Sequence, residues 1–148
     1  MKDIKNYEGI YAVTEDGSVW SYKNKKFLKP GKTSDGYLQV SLSKDGKVKK
    51  HLVHRLVCTA FLPNEKNLPE INHIDKCPLN NCLSNLEWCD RQYNIDYSNA
   101  RPIICVELNK TFISVREASR QLRIAPGNIS SVLTGARKTA SGYHWRYV

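Results

Sequence analysis

Residues 71–94 have the sequence INHIDKCPLNNCLSNLEWCDRQYN, and this stretch decides the fold of the centre of the chain. Apolar and polar residues alternate up to His73, and the alternation resumes at Leu86, which predicts two short strands joined by a polar loop. Asp90 can cap a following helix whose first turn contains Asn94. The order strand, loop, strand, helix predicts that His73, at a strand end, lies close to Asn94.

The polar residues of this stretch suit the hydrolysis of a phosphodiester bond. Hydrolysis needs a nucleophile, charge neutralisation at phosphorus and stabilisation of the leaving oxygen, and a histidine base with one hard metal ion can supply all three. An imidazole such as that of His73 can accept a proton from water near pH 7. The side-chain oxygens of Asn72 and Asn94, with phosphate oxygens and waters, are candidate ligands for Mg²⁺ or Mn²⁺. The alternative for His73 is a structural histidine that only makes a hydrogen bond.

The first fifty residues are predicted to form a meander of β-hairpins. Three runs of β-forming residues occur there, namely Tyr11–Val13, Val19–Tyr22 and Tyr37–Leu42. Each is bounded by a tight-turn pair, namely Asp16-Gly17, Asp35-Gly36 or Asp45-Gly46. Lysines cluster at the connections, and the candidates for contacts with DNA phosphates are Lys23, Lys25, Lys26 and Lys29. The alternative is a solvated lysine edge that prevents aggregation between strands.

A helix is predicted over residues 54–61, since apolar residues recur on one face at Leu56, Val57, Ala60 and Phe61, and Pro63 sets its end. Residues 64–69 are polar and carry a proline, which indicates a surface loop leading into the next strand.

The last part of the chain is predicted to be a small unit of two strands and two helices. Strands are expected at residues 103–108 and 111–113, and Ser114 with Glu117 forms a capping box for a helix that ends near Arg123. Pro126-Gly127 breaks this helix, and Asn128 caps a second helix over residues 129–134. This pattern indicates a helix-turn-helix-like module that binds DNA, whose candidate base readers are Asn128, Ser130, Ser131, Arg137 and Lys138. The alternative is a structural helical hairpin.

The charge of the chain indicates a polyanionic partner. The net charge is +9, and its distribution is uneven, with basic segments on either side of a mildly acidic centre at residues 55–100. No stretch approaches the roughly 20 apolar residues that span a bilayer, so no membrane partner is expected. The N-terminus has no apolar signal core, which predicts a cytoplasmic protein with reduced cysteines.

The central segment resembles the HNH homing endonucleases of phages and mobile introns, whose core is a ββα-metal fold. The residues that carry the resemblance are His54-Arg55-Leu56-Val57, Asn72-His73-Ile74-Asp75, Asn80-Asn81, Asn85-Leu86-Glu87-Trp88 and Asn94. The flanks are similar to accessory modules of that family, at Gly9–Val13, Gly17–Val19 and Ser141–Arg146.

The resemblance implies a role for each matching polar residue. It implies that His73 activates the attacking water, that Asn94 ligates the metal and that Asn85 braces the loop between the strands. Asn72 occupies the second ligand position, where several members of the family have Asp, so a neutral carboxamide gives the ion less protein charge.

Other residues of the segment have open alternatives. Arg91 is either a phosphate clamp or a solvated arginine at the helix start. Asp75 either orients the site or contacts a ligand, and the alternative is a turn bond to backbone. Leu86 and Trp88 are expected to be packing residues. A zinc site is disfavoured, because the thiols of the cysteines in this segment lack paired short spacing; these cysteines are Cys77, Cys82 and Cys89.

Together these observations predict an α+β protein with three parts: a β-hairpin DNA-binding module (1–53), an HNH ββα-metal nuclease core (54–100) and a helix-turn-helix-like DNA-binding module of β-β-α-α order (101–148). The predicted function is metal-dependent cleavage of duplex DNA at a recognised site, as a nick by a monomer or a double-strand cut by a dimer, with one Mg²⁺ or Mn²⁺ per site. The alternative is a DNA-binding protein or regulator with a degenerate HNH centre. An RNA-directed nuclease is disfavoured because surface aromatic platforms are not evident.

Overall fold

The computed structural model describes residues 1–148. They form two compact units, Met1–Arg91 and Gln92–Val148. Short strands and helices occur in both units, which confirms the predicted α+β class. None of the helices has the length and apolar composition that crossing a bilayer requires.

The first unit contains nine strands and one α-helix. The strands are β1 (Lys2–Asp3), β2 (Tyr11–Val13), β3 (Val19–Ser21), β4 (Lys26–Phe27), β5 (Gly31–Lys32), β6 (Leu38–Lys44), β7 (Lys47–Leu52), β8 (Glu70–His73) and β9 (Leu86–Cys89), and the helix is α1 (Val53–Phe61). A 3-10 turn at Leu83–Asn85 precedes β9. Strands β1 to β4 form one sheet in chain order, β5 to β7 form a second, and β8 pairs with β9 alone.

The hairpin of β6 and β7 shows why the N-terminal turns were predictable. Lys44 lies opposite Lys47, and the two residues between them, Asp45 and Gly46, have φ angles of 52° and 73°. Two positive φ angles in a two-residue loop are typical of a type I′ turn, which matches the twist of the strands and favours Asp-Gly. The predicted turn is confirmed.

One hydrophobic core joins the N-terminal hairpins to the central segment. Its buried members are Ile4, Tyr7, Tyr11, Val13, Val19, Val40, Leu42, Val53, Leu56, Val57, Cys58, Ile71 and Leu86. A fully buried Val, Leu or Ile side chain contributes about 1.5–3 kcal/mol. Residues on both sides of position 53 share this core. The division into residues 1–53 and 54–100 therefore stays a prediction, and it concerns which residues bind DNA and which cut it.

Helix α1 supplies the middle of this core. Val57 and Cys58 are fully buried, and Leu56 is nearly so. The helix ends at Phe61, where the Leu62 N–H still bonds to the Cys58 carbonyl, and Pro63 follows at once. The prediction of a helix over residues 54–61 is confirmed, with one additional residue at its start.

The second unit has three strands and the remaining helices. The strands are β10 (Ile103–Cys105), β11 (Lys110–Phe112) and β12 (Trp145–Tyr147), and the helices are α2 (Arg91–Asn99), which begins at the boundary residue, α3 (Val115–Leu122) and α4 (Pro126–Leu133). The sheet has the order β11, β10, β12, and both pairings are antiparallel. Its buried core consists of Ile103, Cys105, Phe112, Ala118, Ile124, Ile129, Ala140 and Trp145.

The start of α3 follows the predicted capping box. The Ser114 side chain accepts a hydrogen bond from the Glu117 N–H at 3.1 Å. The Glu117 carboxylate accepts one from the Ile113 N–H at 2.8 Å, so Ser114 satisfies an open backbone group of the helix while Glu117 ties the residue before the cap to the first turn. The helix ends at Leu122, because Arg123 is left-handed with φ 54°.

Three details of the second unit differ from the prediction. The second helix was expected over residues 129–134 with Asn128 as its cap, but α4 begins at Pro126 and its N-cap is Ala125. Proline is favoured at the first helical position because its φ fits the helix and its missing N–H has no partner there. The strand expected over residues 103–108 ends at Cys105, and the strand expected over 111–113 begins at Lys110.

Strand β12 extends the predicted β-β-α-α order. Its three residues pair with β10, with Trp145 opposite Cys105 and Tyr147 opposite Ile103. A three-residue strand at the end of the chain gives little periodicity from which to predict it. The order of the second unit after α2 is therefore β-β-α-α-β.

Candidate active site

Strands β8 and β9 present the polar residues of the central segment. Their antiparallel register sets Asn72 opposite Glu87 and His73 opposite Leu86. Asn72 and His73 are both buried. Buried polar side chains nearly always have hydrogen-bond partners, so the partners of these two residues define the site.

The His73 imidazole is held by a carboxamide and two aromatic rings. Its Nε2 lies 3.0 Å from Asn81 Oδ1. An amide oxygen only accepts hydrogen bonds, so in this arrangement Nε2 carries the proton and Nδ1 keeps its lone pair. The ring of His54 packs edge-on with its centroid 5.2 Å away, and the ring of Tyr37 lies at 5.9 Å.

His54, on α1, is a second buried imidazole. Its burial, with smaller contributions from the charges of His73 and Arg55, lowers the pKa of His54 to about 4. Its Nδ1 is buried without a hydrogen-bond partner, and its ring lies 5.2 Å from that of Tyr37. Since His54 is neutral at physiological pH, it acts as an aromatic packing partner of His73.

Asn85 closes the loop between β8 and β9. Its Oδ1 accepts a hydrogen bond from the Asp75 N–H at 3.0 Å, and its Nδ2 donates to Asp75 Oδ1 and to the Asn80 carbonyl, both at 2.9 Å. These bonds are those expected of a residue that braces the loop. Its part in catalysis stays a prediction.

The Asp75 carboxylate is used within the same loop. It accepts hydrogen bonds from Asn80 Nδ2 at 2.7 Å, from the Cys77 N–H at 2.8 Å and from Asn85. The bond from Asn80, then those from Cys77 and Asn85, lower the pKa of Asp75. These contacts match the alternative in which Asp75 makes a turn bond to backbone.

Asn72 has the orientation needed of an oxygen ligand. Its Nδ2 donates to Glu87 Oε1 at 2.8 Å. Because a carboxylate only accepts, the amide nitrogen faces Glu87 and the amide oxygen is the atom that remains for a cation. A carboxamide oxygen is a hard ligand suited to Mg²⁺ or Mn²⁺, so the donor chemistry of Asn72 fits such an ion.

The predicted second ligand lies on α2. Asn94 is half-buried and belongs to the second unit, whereas Arg91, at the start of the helix, is exposed. The roles of Asn94 as a ligand and of Arg91 as a phosphate clamp stay predictions.

Comparisons with known proteins agree with this site. The family model described as the NUMOD4 motif matches residues 2–43, and the one described as DNA endonuclease I-HmuI-like, NUMOD-like domain, matches residues 108–146. DNA endonuclease I-HmuI of Bacillus phage SP01 is 33% identical over 167 residues, an alignment that covers 99% of this chain and 96% of the relative. The chain belongs to the HNH homing endonuclease family.

Further relatives extend this result. A solved structure, described as DNA binding and cleavage by the HNH homing endonuclease I-HmuI, is 34% identical with a TM-score of 0.60 and covers 99% of this chain and 97% of its own. An uncharacterized HNH endonuclease of Acanthamoeba polyphaga mimivirus is 34% identical over 93% of this chain, which spans 45% of that relative's length. The predicted family and the predicted enzyme class, an endonuclease, are confirmed.

The cysteines of the HNH segment do not form a metal-binding group. The structure contains no group of three or more His, Cys, Asp or Glu side chains that could hold a metal ion. Cys89 is buried, and burial raises the pKa of its thiol to about 11. A thiol with a raised pKa is a poor source of the thiolate that zinc prefers.

The predicted DNA-contacting residues of the HNH endonuclease are mostly exposed. This holds for Lys23, Lys25, Lys26, Lys29, Ser130, Arg137 and Lys138. Asn128 and Ser131 are half-buried, and the Ser131 hydroxyl donates to the Gly127 carbonyl at 2.8 Å. The hydroxyl hydrogen of Ser131 is therefore used by its own helix, whereas the exposed cations are open to solvent. Their contacts with DNA stay predictions.

Sequence reasoning missed the residues that surround the HNH histidine. Asn81, Tyr37 and His54 contact His73, and none of them was assigned a role. Asn80-Asn81 was recognised only as part of the family pattern, because nothing in the spacing tells which of two adjacent carboxamides turns toward the imidazole.

Proposed function

We propose that this endonuclease hydrolyses phosphodiester bonds of duplex DNA at a recognised site, with one Mg²⁺ or Mn²⁺ ion per site. One observation carries the proposal: the buried His73 is tied through Nε2 to Asn81, while the adjacent Asn72 turns its amide nitrogen to Glu87. Asn72 and His73 are consecutive residues at the end of β8, and they supply the candidate oxygen ligand and the candidate base that metal-assisted hydrolysis uses.

In the proposed reaction, His73 Nδ1 accepts a proton from a water molecule as the water oxygen attacks phosphorus. The bond between phosphorus and the 3′ oxygen breaks, and the leaving oxygen takes a proton from solvent, so the products carry 5′-phosphate and 3′-hydroxyl ends. The side-chain oxygens of Asn72 and Asn94 would hold the ion. A bound Mg²⁺ or Mn²⁺ would neutralise charge on the phosphate and stabilise the leaving oxygen.

Both flanks support duplex DNA as the partner. The relative that covers almost the whole chain is named a DNA endonuclease. Exposed lysines of the first unit and exposed cations beside α4 can neutralise phosphates. A groove of about 320 Å³, lined in part by Lys44, Lys47 and Lys49, adds further positive charge on the hairpin of β6 and β7.

One HNH site per chain most simply makes one cut, so we propose strand nicking by a monomer and double-strand cleavage only by a dimer. The five cysteines are free thiols, which suits the reducing cytoplasm as the proposed compartment.

Supercoiled plasmid that carries the target site, incubated with the full chain and Mg²⁺ or Mn²⁺, tests the proposal. We expect open-circular DNA with either ion and none with a chelator. The His73→Ala variant should bind the plasmid as the natural chain does in a gel-shift assay, and should not nick it.

Two other outcomes separate the alternatives. Binding without metal-dependent nicking by the natural chain would support a regulator with a degenerate centre and would refute the proposed enzyme. Direct appearance of linear plasmid would contradict nicking by a monomer, and sedimentation of the complex would then give the number of chains per DNA.

A further inference from the structure

We infer that Asn81 is a positioning residue that holds His73 in the tautomer with a bare Nδ1, and that the turn at residues 14–18 of the N-terminal hairpin holds Asn81 in place. The inference deepens the proposed function and rests on it for the role of His73. It starts from two buried side chains, since Asn81 is 4% and His73 is 7% exposed, whose polar atoms are 3.0 Å apart.

The orientation of the Asn81 carboxamide decides the tautomer. Its Nδ2 lies 3.5 Å from the Leu79 carbonyl, which can only accept a hydrogen bond. This places the amide nitrogen toward Leu79 and the amide oxygen toward His73. The opposite orientation would put an N–H against Nε2, shift the imidazole proton to Nδ1 and remove the lone pair that accepts the proton of water.

Asn81 has little room to move, because Gly17 packs against it. A Cβ at Gly17 would lie 3.0 Å from Asn81 Cβ, 3.2 Å from Val53 Cγ1 and 3.3 Å from the Asn81 carbonyl oxygen. Gly17 also has a φ of +86°. Glycine is therefore required both by the backbone conformation and by the closeness of the catalytic loop.

A backbone hydrogen bond joins the same turn to the same loop. The Leu83 N–H donates to the Glu15 carbonyl at 2.7 Å. The turn itself is closed by bonds from the Thr14 N–H to the Ser18 carbonyl at 2.9 Å and from the Gly17 N–H to the Thr14 carbonyl at 3.1 Å. The N-terminal hairpin thus contributes a rigid support to the loop that carries Asn81, in addition to any contact with DNA.

The tautomer can be observed directly by ¹⁵N NMR of the histidine-labelled full chain at about pH 8, where an ordinary imidazole is neutral. The signal of His73 should show a protonated Nε2 and a bare Nδ1. In Asn81→Ala the two tautomers should mix, and in Asn81→Asp, whose carboxylate also accepts from Nε2–H, the natural tautomer should persist.

Plasmid nicking should follow the tautomer. We expect kcat of Asn81→Ala to fall about 10- to 100-fold, the usual effect of removing an orienting partner, with KM for DNA unchanged. Asn81→Asp should recover most of this loss. The inference would be overturned if Asn81→Ala kept both the natural tautomer and the natural kcat, or if a folded Asn81→Asp were as impaired as Asn81→Ala.

Gly17→Ala tests the support, and Gly9→Ala is its matched control. Gly9 also has a positive φ, +71°, but a Cβ there would meet nothing within 4 Å. Both variants carry backbone strain, so the two should have similar unfolding midpoints. A mixed His73 tautomer in Gly17→Ala, with the natural tautomer kept in Gly9→Ala, would support the inference. An unchanged tautomer in Gly17→Ala would refute the support. Should the natural chain not nick DNA at all, the NMR result for Asn81→Ala still decides the positioning on its own.

Discussion

The loop at residues 74–85 and the surface beside α4 are both rich in polar side chains, but they differ in how those side chains are used. In the loop, Asn81 and Asn85 are buried and hydrogen-bonded within the site. Beside α4, Arg137 and Lys138 are exposed. Hydrolysis requires groups with a fixed position, whereas phosphate recognition requires groups that remain accessible.

This contrast gives the two regions different sensitivities. A buried donor or acceptor that loses its partner costs about 1–3 kcal/mol, while most exposed substitutions change stability by less than about 0.5 kcal/mol. Changes in the loop should therefore alter stability and rate together. Changes beside α4 should alter only DNA affinity.

The largest effect is expected for Asn85→Ala. The substitution removes three hydrogen bonds that connect Asn85 to Asp75 and Asn80. We expect the free energy of unfolding of the first unit to fall by about 2–4 kcal/mol, measured by urea denaturation with tryptophan fluorescence, and nicking to be lost. Asn24→Ala, at an exposed asparagine of the same unit, is the control. Equal midpoints for the two variants would contradict the bracing role.

A smaller effect concerns acid stability and His54. Because burial lowers the pKa of His54 from its ordinary value of 6.5 to about 4, the unfolded chain binds more protons than the folded chain between these values. The contribution to stability is complete above pH 6.5 and is lost as pH falls to about 4, and it amounts to about 3 kcal/mol. His54→Phe should remove this part of the pH dependence, whereas unchanged slopes of unfolding free energy against pH would disprove it.

The next effect, smaller again, comes from exchanging a fixed carboxamide for a charge. Asn72→Asp would place a carboxylate beside Glu87, where Asn72 now donates a hydrogen bond. Without metal, repulsion between the carboxylates should lower the unfolding midpoint, while affinity for Mn²⁺ in calorimetry should rise about tenfold through the added charge. Weaker Mn²⁺ binding by Asn72→Asp than by the natural chain would exclude Asn72 as a ligand.

The smallest effect is expected beside α4. Arg137→Ala should leave the thermal midpoint unchanged, because the side chain is exposed. If Arg137 meets a phosphate, the slope of log affinity for duplex DNA against log salt should become shallower by about 0.9. A salt slope equal to that of the natural chain would remove Arg137 from the interface.

Local signals in the sequence predicted the elements that local chemistry determines. The Asp45-Gly46 turn, the Ser114 capping box and the extent of α1 each depend on residues within a few positions of one another. Pro126 was assigned to a break although the same residue type also begins helices, so the start of α4 was placed too late.

The features that could not be predicted from the sequence are contacts between residues far apart along the chain. Gly17 meets Asn81, and His54 meets His73, only because the chain folds back on itself. The pairing of β12 with β10 is of the same kind. The catalytic candidate could be identified from its segment and family pattern, but the residues that hold it could not, since no periodicity encodes which side chains meet in space.

The account depends on the imidazole of His73 as the base that accepts the proton of water, and replacement of the imidazole from solution tests this most directly. In single-turnover nicking with Mg²⁺, His73→Gly should be slower than the natural chain by about 10²- to 10⁴-fold, and added imidazole should restore part of the rate to His73→Gly but not to Asn85→Ala. If His73→Gly cut DNA at the natural rate without imidazole, His73 would not be the base.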